Sequence, residues 1–436
     1  MARSMVRTNQ NQVAPDVMLG RRFQWKVSVD VPLDQTQEHW PLYGSRDDPS
    51  IWSQVGRMRV EGPAQGHDAP VIAWDRRVFH PGRGGGSAPR KGQTRVNLFT
   101  ATTKMACPSF GLPAGPPNEG GTCVAATHPK GGGGLREKGK VYTCDSCYSL
   151  EGNYWMQEPA VAQAARLHWL IERLKEDGTG SALAQDLVHG IVDYARFCTM
   201  RKSRDGALVR LASELGTWRK GRIVVPIAES GGGRAPVYYR EAFTTLLPEE
   251  SGFADSRELV RSLGPGEGDV AGFFRIHDSG DVTVLNRPTL WASYVRAWGM
   301  VAKALPSVFF WLPTRAWAFT SLQPVLAEVA AEAPKNLVIR PSAYHVGDPA
   351  PVAAGMHAGT TVIPKPEKGA VRGVAIEGVY PCPVYMPRWD PNAIPRTKAR
   401  RASGAMGEWV EDRSCQTAGC RMCWAGALTP VAYGFH

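Results

Sequence analysis

The sequence lacks any long apolar run, since no stretch approaches the ~20 consecutive apolar residues that a membrane-spanning helix needs. It also lacks an apolar segment near its start, because Met1 to Gly20 is polar, and no secretory signal is therefore expected. These absences argue against a membrane protein and against a secreted one. We expect a cytoplasmic protein with no membrane partner.

Acidic residues are the scarcer charged class. Asp and Glu number 40 against 51 Lys and Arg, which gives a formal net charge of +11. A basic balance of this kind favours a polyanionic partner, and nucleic acid is the candidate. The 436 residues are enough for two domains or for one large α/β barrel with additions. Hydrophobic residues make up 43% of them, which is enough to form a sizeable core.

The chain has nine cysteines and no export signal, a combination that favours metal binding over disulfides. Two pairs have CxxC spacing, Cys144 with Cys147 and Cys420 with Cys423. A CxxC turn directs two thiolates at one tetrahedral centre, which suits Zn²⁺ or an iron–sulfur cluster. Each pair therefore predicts a metal site that needs two further ligands.

The other cysteines supply those ligands. Cys107 and Cys123 complete the first predicted site, and His128 is able to replace one of them. Cys382 and Cys415 complete the second. The sequence thus predicts two four-cysteine sites.

Zinc is favoured over iron–sulfur at the second site. The spacing C-x4-C-x2-C from Cys415 to Cys423 also occurs in plant-type ferredoxins, where the fourth cysteine follows the motif. Here the fourth candidate, Cys382, precedes it, so an iron–sulfur cluster is kept as the alternative. The ninth cysteine, Cys198, lies in a predicted helix and is interpreted as a buried thiol.

The most regular part of the chain alternates strands and helices. Strands are predicted over 273–276, 308–312 and 337–340, with helices over 289–305 and 321–333 between them. This βαβαβ order implies a parallel sheet. We therefore predict an α/β fold built on a (β/α) barrel-like parallel sheet, with two Cys-rich metal-binding insertions.

Polar residues follow each of these strands, at the edge where barrels and open α/β sheets carry their chemistry. His277, Asp278 and the residues up to Asp281 follow the first strand. Arg315 follows the second and His345 the third. We predict an active site where these loops meet.

The same patterns divide the chain into four predicted segments. Residues 1–94 are predicted to be an irregular basic N-terminal arm, and 95–158 hold the first Cys-rich metal site. Residues 159–381 form the barrel-like core, and 382–436 hold the second Cys-rich site.

Several pieces of the chain, spread over roughly residues 95–425, resemble the phage gene-product-88 family. These pieces are MACPSFGLPA, TCDSCYSLEGNY, FRIHDSGD, FFWLPTR, NLVIRPS and the terminal CxxxxCxxCW. The resemblance implies a bacteriophage protein that works in the cytoplasm of the host cell, and it implies no particular activity.

The loop from Asp278 to Asp281 resembles the Asp-Ser-Gly-Gly loop of tRNA-guanine transglycosylases, although its fourth residue is Asp instead of Gly. Those enzymes are (β/α)8 barrels with a C-terminal zinc site, and the related phage DpdA-type enzymes insert 7-deazaguanine bases into DNA. The resemblance implies a transglycosylase that exchanges guanine in DNA for a 7-deazaguanine (preQ0-type) base. It casts Asp278 as the residue that handles protons.

Base exchange also needs a carboxylate nucleophile. Between Val282 and Pro381 the sequence has one Asp, Asp348, which makes it the leading candidate, with Asp281 second. Substrate contacts are expected from the remaining polar residues of the three loops. These are His277, Ser279, Gly280, Arg315 and His345.

Two other functions remain open. The CxxCY piece at Cys144 also resembles radical-SAM proteins, but Lys140 stands where a third cysteine would complete their motif, and this gives an iron–sulfur or radical-SAM-like enzyme as one alternative. The other is a metal-stabilised nucleic-acid-binding protein without catalysis. A rival loop, Glu229 to Gly232, also follows a predicted strand.

Overall fold

A computed structural model gives the structure of the chain. It describes residues 17–19, 25–31, 54–61, 71–75, 98–101, 105, 107–115, 122–123, 139–146, 149, 163–197 with gaps, 201–202, 208–209, 214–227, 238–282 except 243–244, 288–364, 378–384, 388–390 and 403–434 with gaps. No helix in these parts of the chain is long and apolar enough to cross a membrane.

The strands are Val17–Leu19 (β1), Trp25–Val31 (β2), Gln54–Glu61 (β3), Val71–Asp75 (β4), Thr100–Ala101 (β5), Pro108–Ser109 (β6), Arg201–Lys202 (β7), Leu208–Val209 (β8), Leu215–Arg219 (β9), Arg222–Ile227 (β10), Tyr238–Glu241 (β11), Val270–Arg275 (β12), Val308–Thr314 (β13), Leu337–Val346 (β14), Thr360–Ile363 (β15), Tyr380–Pro381 (β16), Arg388–Asp390 (β17), Glu408–Val410 (β18) and Val431–Gly434 (β19). The α-helices are Ser181–Phe197 (α1), Ser256–Arg261 (α2), Pro288–Ala304 (α3), Gln323–Glu332 (α4) and Met422–Ala425 (α5). Short 3-10 helices cover Thr143–Ser146, Glu249–Ser251 and Ala316–Ala318.

A mixed sheet forms the centre of the fold, with the order β11-β10-β9-β12-β13-β14-β15-β19-β16. The pairs from β12 to β16 are all parallel, whereas β11, β10, β9 and β12 pair antiparallel. The fold is therefore α/β with a largely parallel central sheet. Within the described residues the path ends at β11 and β16 without a pairing that closes it, so the predicted barrel is not confirmed.

Two crossovers build the parallel part, as the sequence predicts. The helix α3 connects β12 to β13, and α4 connects β13 to β14. Proline stands at the start of each helix, where its missing N–H costs no hydrogen bond. Both helices pack into one apolar core with α1.

Alternate residues of the central strands point into two different cores. Phe274, Phe310 and Leu312 belong to the core under the helices. Phe273, Phe309 and Trp311 belong to a second core on the other face, with the short helix α2 and the C-terminal residues Cys423 and Trp424. Burial on both faces explains why these strands read as continuous apolar runs.

The strand β14 is longer than the sequence predicts. A proline usually confines a strand to an edge, and the predicted strand therefore ends before Pro341. In the structure Pro341 pairs with Thr314, and the strand continues to Val346.

Strands lie in both of the terminal segments. Within 1–94, β1 to β4 form a four-stranded antiparallel sheet, and alternating stretches such as WKVSVDV supply its strands. Within 382–436, β19 joins the central sheet between β15 and β16. The C-terminal segment is therefore part of the central sheet.

Candidate functional site

The candidate site lies at the carboxyl ends of β12, β13 and β14, which are parallel neighbours. The segment 107–115 runs alongside: β6 pairs with the end of β12, and the chain then continues past it. Phe110 N donates to Arg275 O at 3.2 Å, and Leu112 N donates to Ser279 O at 3.0 Å. The loop after β12 is thereby covered by this segment.

Asp278 and Ser279 are buried beneath that cover. The Ser279 hydroxyl donates to Leu112 O at 2.8 Å and accepts from Gln163 Nε2 at 2.8 Å. A β-carbon at Gly111 would collide with the Asp278 carboxylate, so only glycine allows this close approach. Asp278 is 4% exposed, so its carboxyl group has almost no contact with solvent.

Asp281 joins the ends of β12 and β13. Its Oδ1 accepts from Thr314 Oγ1 at 2.6 Å, and its Oδ2 accepts from Arg315 N at 2.7 Å. Its Oδ1 also accepts from Val282 N at 2.6 Å. Burial raises the pKa of this carboxyl, and these donors oppose the rise. The geometry gives Asp281 a positioning role between the two loops.

His277 is a buried neutral side chain. Its Nε2 lies 2.7 Å from the Tyr294 hydroxyl on α3, and the two rings stack. Burial, assisted by the positive charge of Arg275, lowers the pKa of His277 to about 3. This histidine is therefore uncharged at neutral pH and packs against the helix.

Of the three predicted catalytic carboxylates, Asp348 is the one that is partly exposed, with 26% of its side chain accessible. It accepts from Lys140 Nζ at 2.9 Å through Oδ1, and its Oδ2 lies 2.8 Å from His345 Nδ1. Although burial acts to raise it, these hydrogen bonds leave the pKa of Asp348 below its usual value. The carboxylate is ionised and oriented at neutral pH.

Arg315 lies among aromatic side chains at the same edge. Its Nε donates to Ala343 O at 3.1 Å, and the Tyr344 hydroxyl donates to the carbonyl of Arg315. Tyr344 stacks in parallel with Tyr142 at 6.2 Å between ring centroids. Cys144 packs against this pair, so the CxxC region reaches the predicted active edge.

The structure brings to this edge a segment that the sequence analysis does not include in the site. It carries Lys140, Tyr142 and Thr143. Tyr142 forms an antiparallel bridge with His345, and Thr143 Oγ1 donates to Tyr344 O at 2.9 Å. Lys140 lies 208 residues from Asp348 in sequence. A local signal for this placement is the apolar Val-Tyr-Thr stretch before the CxxC, which could have been read as a short extended segment.

Two members of the first predicted cysteine set pack in different clusters. Cys107 packs with Cys423 and Trp424 on one face of the sheet, whereas Cys144 lies at the carboxyl edge. Cys123 follows Thr122, whose hydroxyl accepts from Asp281 N at 3.0 Å.

Some predicted residues fall outside the part of the chain that the structure describes. They are Cys147, Cys198, His128 and the Glu229–Gly232 loop.

The second predicted set lies on the face of the sheet opposite the long helices. Cys382 and Cys420 share one small buried core, and Cys423 Sγ lies 3.1 Å from the Tyr433 hydroxyl. Burial raises the pKa of Cys420 to about 11 and that of Cys415 to about 12, and the neighbouring thiol of Cys423 adds to both. None of the four forms a disulfide.

The described residues include no group of three or more His, Cys, Asp or Glu side chains that could hold a metal ion. The two predicted metal sites therefore stay predictions.

Comparison with known protein families gives a match. A family model described as Gene product 88 matches residues 234–426, which include the carboxyl-edge loops and the cysteines from Cys382 to Cys423. This supports the resemblance to a phage gene-product family over the second half of the chain. No curated protein and no solved structure matches the chain.

Proposed function

We propose that the chain is a DNA-modifying enzyme that exchanges guanine for a 7-deazaguanine (preQ0-type) base at the carboxyl edge of its sheet. The observation that carries the proposal is the state of Asp348. It is ionised, partly exposed and held by two side chains, which are the properties that a carboxylate nucleophile needs.

In this mechanism an oxygen of Asp348 attacks C1′ of the target nucleotide, and the bond from C1′ to N9 of guanine breaks. Guanine leaves with the bonding electron pair and takes up a proton. The incoming base then attacks C1′ through its N9, loses the N9 proton, and releases Asp348 as a carboxylate. Lys140 and His345 hold the carboxylate in one orientation before the attack.

Asp278 is the candidate for the proton transfers at the two bases. Because it lies beneath Gly111, the mechanism requires the 107–115 segment to shift when DNA binds. Asp281 positions Arg315 through its backbone N–H, and the Arg315 guanidinium is the candidate contact for a DNA phosphate. The target base must leave the duplex stack to reach this edge.

The test is incorporation of a radiolabelled 7-deazaguanine base into DNA by the purified chain. We expect incorporation by the wild type and a loss of at least a hundredfold in Asp348→Asn. Glu332→Gln is the matched control, because Glu332 is an exposed carboxylate paired with Lys303 on the helical face. Absence of incorporation by the wild type, or full activity of Asp348→Asn, contradicts the proposal.

A second candidate is a nucleic-acid-binding protein without catalysis. The burial of Asp278 and Asp281 favours it, because buried carboxylates that accept hydrogen bonds from neighbouring loops stabilise those loops. This candidate predicts DNA binding that weakens steeply with salt and no base exchange under any condition.

A further inference from the structure

Two aromatic side chains lie partly exposed at the carboxyl edge of the sheet, on the turn that follows β13. They are Trp317, within the 3-10 helix Ala316–Ala318, and Phe319 directly after it. The other tryptophans whose side chains the structure describes are buried, from Trp298 at 0% to Trp218 at 6% exposed. At this edge, by contrast, part of an indole is left outside the core, where a ligand can cover it.

Both rings are held in one orientation. Trp317 Nε1 donates to Ser342 O on β14 at 2.8 Å, and the indole lies at 45° to the ring of Tyr344 with 5.5 Å between the centroids. Phe319 packs against the cluster that contains Tyr344, and its N–H donates to Ala316 O at 3.1 Å. A ligand that contacts these rings therefore orders no mobile side chain, and little conformational entropy is lost on binding.

A fixed guanidinium and an exposed ammonium lie at the same edge. The N–H of Arg315 donates to Asp281 Oδ2 at 2.7 Å, and its carbonyl accepts from the Tyr344 hydroxyl. Lys140 is 41% exposed, pairs with Asp348, and lies on the segment that bridges to β14. The whole chain carries a formal net charge of +11. Positive charge beside flat apolar rings suits a polyanion whose units have flat aromatic faces, which describes a nucleic acid strand.

We propose that Trp317 and Phe319 form a stacking surface for unpaired bases of single-stranded DNA, and that Arg315 contacts the phosphates of the same strand. Bases in a duplex stack on each other, whereas the bases of a single strand are open to stack on aromatic side chains. The inference rests on the proposed function for the choice of DNA over RNA, and it names the form in which the DNA is bound. Binding at this surface requires no base exchange.

The first experiment uses the wild-type chain and a fluorescein-labelled single strand of about 12 nucleotides, a length on the scale of one binding site. Fluorescence anisotropy gives its Kd, and competition gives the Kd of the matching duplex and of an abasic strand with the same number of phosphates. We expect the single strand to bind about tenfold more tightly than either. Equal or tighter binding of the duplex or of the abasic strand overturns the proposal. Tighter binding of an RNA strand of the same sequence overturns the choice of DNA.

Two variants at Trp317 isolate the aromatic face. Trp317→Phe and Trp317→Leu both lose the hydrogen bond to Ser342 O, but only the phenylalanine keeps a ring on which a base can stack. We expect Trp317→Leu to weaken single-strand binding about tenfold and Trp317→Phe to keep most of the affinity. Phe253→Leu is the matched control, because Phe253 is a partly buried aromatic residue in the core on the opposite face. Equal affinities of the two Trp317 variants overturn the stacking role.

Salt dependence separates Arg315 from the rings. Arg315→Gln should lower the magnitude of the slope of log Kd against log salt concentration by about one, whereas Trp317→Leu should leave the slope unchanged. An unchanged slope in Arg315→Gln overturns the phosphate contact. These assays contain no incoming base, so the two proposals fail separately. Single-strand binding without base incorporation contradicts the proposed function alone, and incorporation without preference for the single strand contradicts this inference alone.

Discussion

The carboxyl edge of the sheet and the cysteine-rich face use the same three strands, β12 to β14, but collect opposite charges. At the edge, Asp281 and Asp348 are held by hydroxyl, backbone and ammonium donors of the chain itself. On the cysteine face, Arg275, Arg340 and Arg421 stand beside thiols that become anionic only by losing protons. The carboxylates of the edge are thus held by donors of the fold, whereas the guanidinium groups of the cysteine face lie beside thiols whose pKa burial raises.

The largest effect is expected where a buried cation holds the cysteine face to the sheet. Arg340→Met removes donors from four carbonyls, two of them buried and two partly buried, and we expect a loss of about 3–5 kcal/mol in the free energy of unfolding. Arg296→Met is the matched control, because Arg296 pairs with Glu328 on the exposed helical face and should cost under about 1 kcal/mol. Urea unfolding measures both, and equal losses would refute the role of Arg340.

The edge should respond less strongly to loss of its buried carboxylate. Asp281→Ala leaves Thr314 Oγ1 and the N–H of Arg315 without their acceptor, and we expect a cost of about 2–3 kcal/mol. Asp281→Asn keeps one acceptor oxygen and should cost less. Chemical denaturation of both variants gives the comparison, and an Asn variant that is no better than Ala would count against the hydrogen-bond account.

The edge also makes stability depend on pH through His277. The folded-state pKa of about 3 lies below the usual value of about 6.5, so below pH 6.5 the unfolded chain binds a proton that the folded chain does not. The contribution of His277 to stability is therefore full above pH 6.5 and falls by about 1.4 kcal/mol per pH unit down to about pH 3.

His277→Gln should remove this slope while it keeps a partner for the Tyr294 hydroxyl. The check is the difference in unfolding free energy between wild type and variant, measured from pH 7 to pH 4. A difference that does not change with pH would show that His277 titrates normally.

The smallest effect is expected at the exposed end of the edge. Lys140→Met removes an ion pair whose lysine is 41% exposed, so the cost in stability should stay under about 1 kcal/mol. The pKa of Asp348 should rise, since Lys140 is one of the groups that lower it. Titration of the Asp348 carboxyl by NMR measures this, and an unchanged midpoint would contradict the effect of Lys140 on this pKa.

The sequence predicts the edge better than it predicts the cysteine face. Apolar strands and amphipathic helices in alternation place His277, Arg315 and His345 together, because parallel strands end at one edge. The predicted bounds of strand β14 are wrong only at its carboxyl end, where Pro341 pairs within the sheet instead of ending the strand.

The partners of these residues could not be predicted. Lys140 reaches Asp348 from 208 residues away, and residue periodicity carries no information about which loop crosses which strand. The same limit applies to Cys107, because its spacing to Cys144 suggests one site while the pairing of β6 with β12 carries it to the core of Cys423.

Trapping of the covalent intermediate tests the central claim most directly. Wild-type protein is incubated with guanine-containing DNA without an incoming base, then denatured and digested, and the DNA-linked peptide is identified by mass spectrometry. The account predicts a linkage at Asp348 that is absent in Asp348→Asn and present in Glu332→Gln. A linkage at another residue, or one that persists in Asp348→Asn, would contradict it.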